Sequence, residues 1–200
     1  MNIIDENFYL QSSEKVAKNL LGKNLIKKEE NCVLKGKIVE VEAYYGEDDP
    51  ASRAFQNRVT KVSRWMWKKG GIAFIYMVHG HWLFNIVTGK TDQPEGILIR
   101  ALEPLKNIDR MKERRQTSNL ENLTSGPGKL TQAFSLNDKY NGSKVYHPCS
   151  KIIVGESDNK EEFKIEDSYR VGVSKDLSRK LRFFIKDNCF VSKKNMRRKK

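Results

Sequence analysis

In KIVEVEAYYGEDDP, Lys37 to Pro50, an acid and two tyrosines meet where a β-strand runs into an acidic turn. A carboxylate placed there can take a proton from an attacking water or stabilise a developing cation, and phenols beside it can stack on a flat substrate. Strand alternation puts Ile38, Glu40, Glu42 and Tyr44 on one face, with Val39, Val41 and Ala43 on the other. Alternation by itself also describes a solvated face on which Glu42 is an ordinary surface acid. The next segment, ASRAFQNRVTKVSRWMWKKGG, interleaves basic residues with Trp65 and Trp67. Such a loop can neutralise phosphates while offering flat faces to bases, each stacked base being worth about 1–3 kcal/mol. The same tryptophans can equally be core anchors with lysine stems packed around them. In YMVHGHWLFN, His79 and His81 flank Gly80 at the bend of a hairpin. Two histidines about a glycine invite a metal, but no third ligand stands at a supporting spacing, so they are read as turn or core residues.

The elements that must hold these residues form a mixed pattern. SSEKVAKNLLG has a Ser cap, apolar Val16, Leu20 and Leu21, and Gly22 as a stop, which predicts a short helix. NLIKK and VLKGKIVEVEAYY flank EENC as a hairpin, and IAFIYMV and GILIRAL are further strands. EPLKNIDRMKERR and PGKLTQAFSL read as helices, the second opened by Pro127, and Gln116 to Asn122 as a loop. KIIVGE, FKIEDSYRVGV and LRFFIKD return to strands, so the class is α+β, with no internal repeat.

Two hundred residues suit one domain, and 38% hydrophobic residues can fill its core. Lys and Arg number 38 against 25 Asp and Glu, a net charge of +13; KKNMRRKK at 193–200 carries six of the cations, so +7 remains without it. That field attracts polyanions, among which nucleic acid, an anionic membrane and an acidic protein are the candidates. The tail itself is expected to be disordered. Cys32, Cys149 and Cys189 lie far apart and read as reduced thiols. The first residues, MNIIDENFYLQSSEK, lack a secretory pattern, and no run approaches the ~18 apolar residues of a membrane span.

Five blocks, GKIVEVEAYYGEDDPASRA, FIYMVHGHWLFNIVTG, GILIRALEPL, SGPGKLTQAF and YRVGV with RKLRFFI, follow one another in an order and spacing similar to the alkyladenine (3-methyladenine) DNA glycosylase family. The resemblance covers about residues 8–192. It implies a single α+β domain, residues 1–192, with a curved, mostly antiparallel sheet, surrounding helices and a protruding hairpin that inserts into DNA. It also implies a monofunctional enzyme that flips a damaged purine, alkylated or deaminated, out of duplex DNA and hydrolyses its N-glycosidic bond without metal or cofactor. The expected partner is double-stranded DNA containing damaged purines, with no membrane and a monomeric protein, cytoplasmic (nucleoid-associated in a prokaryote) or nuclear in a eukaryote.

Residue by residue, the resemblance assigns Glu42 as the base that activates water and Arg100 as the group that holds this water. The Val171 to Val173 stretch would lend a main-chain carbonyl. Tyr44 and Tyr76 match the walls between which the flipped base stacks, Asn85 the residue that screens purine substituents, and Arg53 a further pocket position. Arg58, Thr60 and Lys129 fall on DNA-contacting positions, and His79 on the wedge that fills the gap left by the flipped nucleotide. The chain departs from the pattern at two of these. Arg53 replaces a histidine, and His79 replaces a tyrosine in a turn one residue shorter than usual. A fixed positive charge in a dry pocket repels a cationic alkylpurine, which predicts a shift toward neutral lesions such as hypoxanthine or ethenoadenine. The rival reading is a sequence-tolerant nucleic-acid binder with an inactive pocket. A lyase using a lysine Schiff base is a third, although no sequence feature selects one lysine.

Overall fold

The computed structural model describes residues 2–158 and 161–192; the basic segment 193–200 lies outside them. Its centre is β2 (Val33–Tyr44), which pairs along one edge with β5 (Glu95–Lys106) and along the other first with β1 (Asn24–Lys28) and then with β8 (Arg182–Ile185). The remaining strands are β3 (Ala73–Val78), β4 (His81–Thr88), β6 (Ile152–Gly155) and β7 (Ile165–Ser168). All pairings are antiparallel, in the order β3-β4-β5-β2-β1-β6, with β8 joining β2 to β7, and the sheet curls into a half-barrel.

Three α-helices among the described residues close the core. α1 (Ser13–Leu20) buries Val16, Ala17 and Leu20, a spacing that puts them on one helical stripe. Beyond it, the amide of Gly22, at φ +82°, donates to the carbonyl of Ile38 and so docks the end of the helix on β2. α3 (Pro127–Ala133) starts on its proline as expected. α2 (Ile108–Arg115) begins later than the sequence suggests, because EPLK continues β5 as far as Lys106 before Asn107 turns the chain at φ +58°.

Two strand readings also change. FKIEDSYRVGV is a strand only from Ile165 to Ser168; the Arg170 side chain is drawn inward and Gly172 adopts φ +78°, so RVGV becomes a loop. On β2 the second face is not solvated, since Glu40 and Glu42 are both 0% exposed. The second half of β2 lies between β5 and β8, and the loop carrying Val171 closes over Glu42.

The register between β2 and β5 slips three times, twice beside the acids. Ile38 faces Leu102, Glu40 faces Ala101 and Val41 faces Ile99, which leaves Val39 as an extra residue on β2 and Arg100 as one on β5. A residue outside the ladder is free to re-aim its side chain, and here that residue is Arg100.

The β3–β4 hairpin closes with Val78 opposite His81, through His79 at φ +48° and Gly80 at φ +79°. Positive φ at both central residues is the type I′ pattern that matches strand twist. A β-carbon on Gly80 would meet nothing within 4 Å, so Gly80→Ala carries only the conformational cost of the left-handed region. It is expected to destabilise the protein by about 1–2 kcal/mol in urea unfolding.

Candidate active site

Two acids on β2, two residues apart, are buried with two arginines. Glu40 Oε1 accepts from Arg100 Nε at 2.8 Å, Arg182 Nε at 2.7 Å and Ser192 Oγ at 2.8 Å, and its Oε2 accepts from the Ser192 amide at 2.7 Å. Burial opposes its ionisation, but Arg100 and Arg182 outweigh that and hold its pKa below the ordinary glutamate value. Arg100, fixed by its Nε, extends Nη1 to within 3.3 Å of Glu42 Oε2. Glu42 also accepts the Tyr44 hydroxyl at 2.8 Å and the Val171 amide at 2.7 Å. For this acid burial wins over Arg100 and the two donors, and its pKa is raised. The two carboxyls thus diverge: one is a fully paired anchor, the other is poised nearer neutrality.

Above Glu42 lies a cavity of about 740 Å³, within the range that admits a drug-sized ligand. Tyr44 from β2, Arg100 from β5, Val171 and Val173 from the loop after β7, Arg53 and Tyr76 are among its lining residues. Glu42 itself is screened by three of these lining residues, Tyr44, Arg100 and Val171, each of which touches it. His79 and Lys129 stand at the same cavity. The Lys129 ammonium donates to Asn122, and burial together with the neighbouring Arg115 lowers its pKa.

A second cleft, of about 1100 Å³, shares Arg53 and Tyr76 with the first and continues along Arg58, Thr60, Arg64 and Trp65. Residues on opposite faces of the β3–β4 hairpin line the two spaces, Met77 and Trp82 in one, Val78 and His81 in the other. Trp65 and Trp67 are half-buried against a small cluster of Ala54, Met66, Ile72, Phe74 and Val87, so they serve as anchors, and Trp65 also reaches the cleft.

The structure gathers Arg100, Tyr44, Tyr76, Arg53, Val171 and Val173 at one cavity, while Glu42 lies behind three of them and does not line it. Arg53 places its guanidinium 4.7 Å from the centre of the Tyr76 ring, with no carboxylate partner among the described residues. At Val171 the group engaged with Glu42 is the amide rather than a carbonyl. Asn85 does not line the cavity: it is almost fully buried, its Nδ2 donating to the carbonyls of Phe74 and Leu83, and Leu83 is a lining residue. Arg58 and Thr60 lie in the basic loop; the Thr60 hydroxyl and Ser63 hydroxyl each accept the other's amide, which fixes the loop locally.

Sequence reasoning passed over Glu40, Arg182, Asp49 and Arg170. For Glu40 the signal was present, since alternation already put it on the face of Glu42. Arg182 and Arg170 gave none, because they approach through strand pairing and a loop more than a hundred residues away.

The sequence matches the family described as methylpurine-DNA glycosylase over residues 7–189. A protein of Clostridium botulinum named "Putative 3-methyladenine DNA glycosylase" is 38% identical, the alignment covering 96% of this chain and 100% of the relative. A protein of the same name from Clostridium novyi is 39% identical over 97% and 100% of the two chains. A third, from Francisella tularensis, is 44% identical over 89% and 92%.

Replacing Glu40 leaves two buried guanidiniums short of one counter-charge. Glu40→Gln is therefore expected to cost about 3–5 kcal/mol in urea unfolding at neutral pH. Because the folded pKa of Glu40 is lowered, its contribution is present above the unfolded value of about 4.3 and is lost as pH falls through the folded one. The gap between wild type and variant should narrow as the pH drops below that range.

Proposed function

The chain belongs to the methylpurine-DNA glycosylase family, and we propose that it excises damaged purines from duplex DNA by hydrolysing the N-glycosidic bond of a flipped nucleotide, with Glu42 as the base. The observation that carries this reading is the position of one buried acid of raised pKa, in contact with Arg100, beneath a cavity walled by Tyr44 and Tyr76.

The flipped base stacks among Tyr44, Tyr76 and Arg53, and its sugar rests at the floor formed by Arg100 and Val171. A carboxylate has about four acceptor sites, and three are engaged here by Tyr44, Val171 and Arg100, which leaves one for water. As the C1′–N bond breaks, its electron pair departs with the purine and positive charge gathers on the sugar. Water adds to C1′ and passes a proton to Glu42, while the carboxylate stabilises the cationic sugar. An alkylated purine is already cationic and leaves neutral; a neutral lesion is a poorer leaving group, departing as an anion that takes its proton from solvent. Extrusion is cheapest for a weakly paired nucleotide, which adds selectivity. His79 at the hairpin tip fills the gap in the duplex, and Arg58, Thr60 and Lys129 hold the backbone.

Arg53 sets the lesion preference. Its charge is unpaired among the described residues and lies on one wall of the cavity, so a cationic base entering there meets repulsion that a neutral one escapes. The complete burial of Glu42 is the one observation that favours the rival, a nucleic-acid binder whose pocket does no chemistry.

The test is alkaline cleavage of abasic sites formed in duplexes carrying a single hypoxanthine, ethenoadenine or 7-methylguanine. Wild-type protein is expected to release the neutral bases faster than 7-methylguanine, and Arg53→His to shift the balance toward the cationic one. No abasic product from any lesion contradicts the glycosylase reading. A preference for 7-methylguanine that Arg53→His leaves unchanged contradicts the role of Arg53.

A further inference from the structure

Arg170 is fully buried, although the chemistry described so far does not use it. Its guanidinium forks onto Asp49, with Nη1 to Oδ2 at 2.7 Å and Nη2 to Oδ1 at 2.8 Å. Nη1 also reaches the carbonyl of Ala43 at 3.1 Å, and Nε and Nη2 reach Asp176 Oδ1 at 2.9 and 2.5 Å. Every one of the five N–H donors of an arginine is thereby satisfied. The cation lies 4.5 Å from the centre of the Tyr44 ring. Asp49 in turn accepts the amides of Tyr45 and Ala51, which ties the end of β2 to the turn that leads into Arg53. The residue after Arg170 is Val171, whose amide donates to Glu42.

We propose that Arg170 is a positioning residue: clamped between the end of β2, the Asp49 turn and the loop reaching Asp176, it holds the Tyr44 hydroxyl and the Val171 amide against Glu42. The role rests on the reading of Glu42 as the base, and it is distinct from that reading because Arg170 touches neither Glu42 nor the cavity. Three walls of the site, the Tyr44 ring, the Pro50–Arg53 turn and the Val171 loop, come from separate stretches of chain. Arg170 is bonded to all three stretches, directly or through Asp49. A lysine in its place keeps the charge but has no planar fork, so it cannot hold Asp49, Asp176 and Ala43 together.

Both donors that Arg170 sets favour the ionised form of Glu42. The other groups facing Glu42 are Arg100 from β5, Arg182 from β8 across the ladder, Glu40 on β2 itself and Tyr76 from β3. None of these is bonded to Arg170. Loosening the clamp therefore removes favourable hydrogen bonds from the carboxylate and leaves its ion partners in place, which moves its titration upward.

The experiment follows the titration of Glu42 by NMR of carboxyl-13C glutamate in the protein without DNA, with the signal assigned by its loss in Glu42→Gln. Arg170→Lys is expected to raise the midpoint by about one pH unit, the worth of a charge-assisted hydrogen bond. At neutral pH the same variant should excise more slowly at saturating enzyme and recover toward wild type as the pH is raised. Its affinity for undamaged duplex, carried by surface cations, should be unchanged. Asp176→Asn, a milder change at the edge of the clamp, serves if Arg170→Lys does not fold, with a smaller upward shift expected. An unmoved Glu42 midpoint in the variant that folds overturns the proposal, whatever the loss of stability. Failure of wild-type protein to excise any lesion overturns the glycosylase reading instead, and the titration is read independently of it.

Discussion

An ionised carboxylate withdrawn from water is unfavourable by several kcal/mol unless a counter-charge and hydrogen bonds go with it. This chain withdraws two of them on one strand, and the pairing of Glu40 and Glu42 with Arg100 and Arg182 is the condition that the middle of the sheet must meet. The sheet meets it by geometry. The bulge on β5 releases Arg100 from the ladder, β8 lays Arg182 opposite Glu42 in the pairing, and the main chain at Ser192 covers the last oxygen of Glu40. Of the two acids, Glu40 takes the Nε of both arginines and Glu42 keeps one longer ion contact, so burial, which acts on both, raises the pKa of Glu42 alone. Unequal sharing of two cations distinguishes the two acids.

The same economy governs the cavity. Tyr44 does two things at once, since its ring forms a wall while its hydroxyl is bonded to Glu42. Arg100 is both the partner of the acids and part of the cavity lining. Few side chains here have a single task, and a change at the floor is felt at the walls. The cations follow a comparable division. Arg170 and Arg182 are buried and paired with carboxylates, whereas Arg53, Arg58 and Arg64 gather at the two clefts without carboxylate partners among the described residues, where a phosphate or a base can meet them.

Much of this was readable in the amino-acid sequence because it is local. The strand carrying Glu42, the short helix ended by Gly22, the proline at the start of α3 and the hairpin about Gly80 all depend on neighbours a few residues away. What alternation could not supply was burial. It showed that Glu40 and Glu42 share a face, but whether that face meets water depends on β8 and the Val171 loop, which arrive from the far end of the chain. For the same reason RVGV read as strand: its valines fit one, and only the pull of Asp49 on Arg170 across 121 positions shows why the chain leaves the ladder there. The direction of Arg53 was likewise set by a ring on β3 rather than by anything adjacent to it. The resemblance to a glycosylase family brought Glu42, Arg100 and Tyr44 together by position, while the charge balance around the acid came only from the packed sheet.

The most direct measurement is single-turnover excision of hypoxanthine from duplex DNA by Glu42→Gln beside wild type, together with the binding of each to the same duplex. The amide keeps the size of the side chain and can still accept the Val171 hydrogen bond, but it cannot take a proton from water. The account predicts a loss of at least about 100-fold in the excision rate, the lower end of what a general base contributes, with lesion binding retained. Excision by Glu42→Gln within a few-fold of wild type would contradict it.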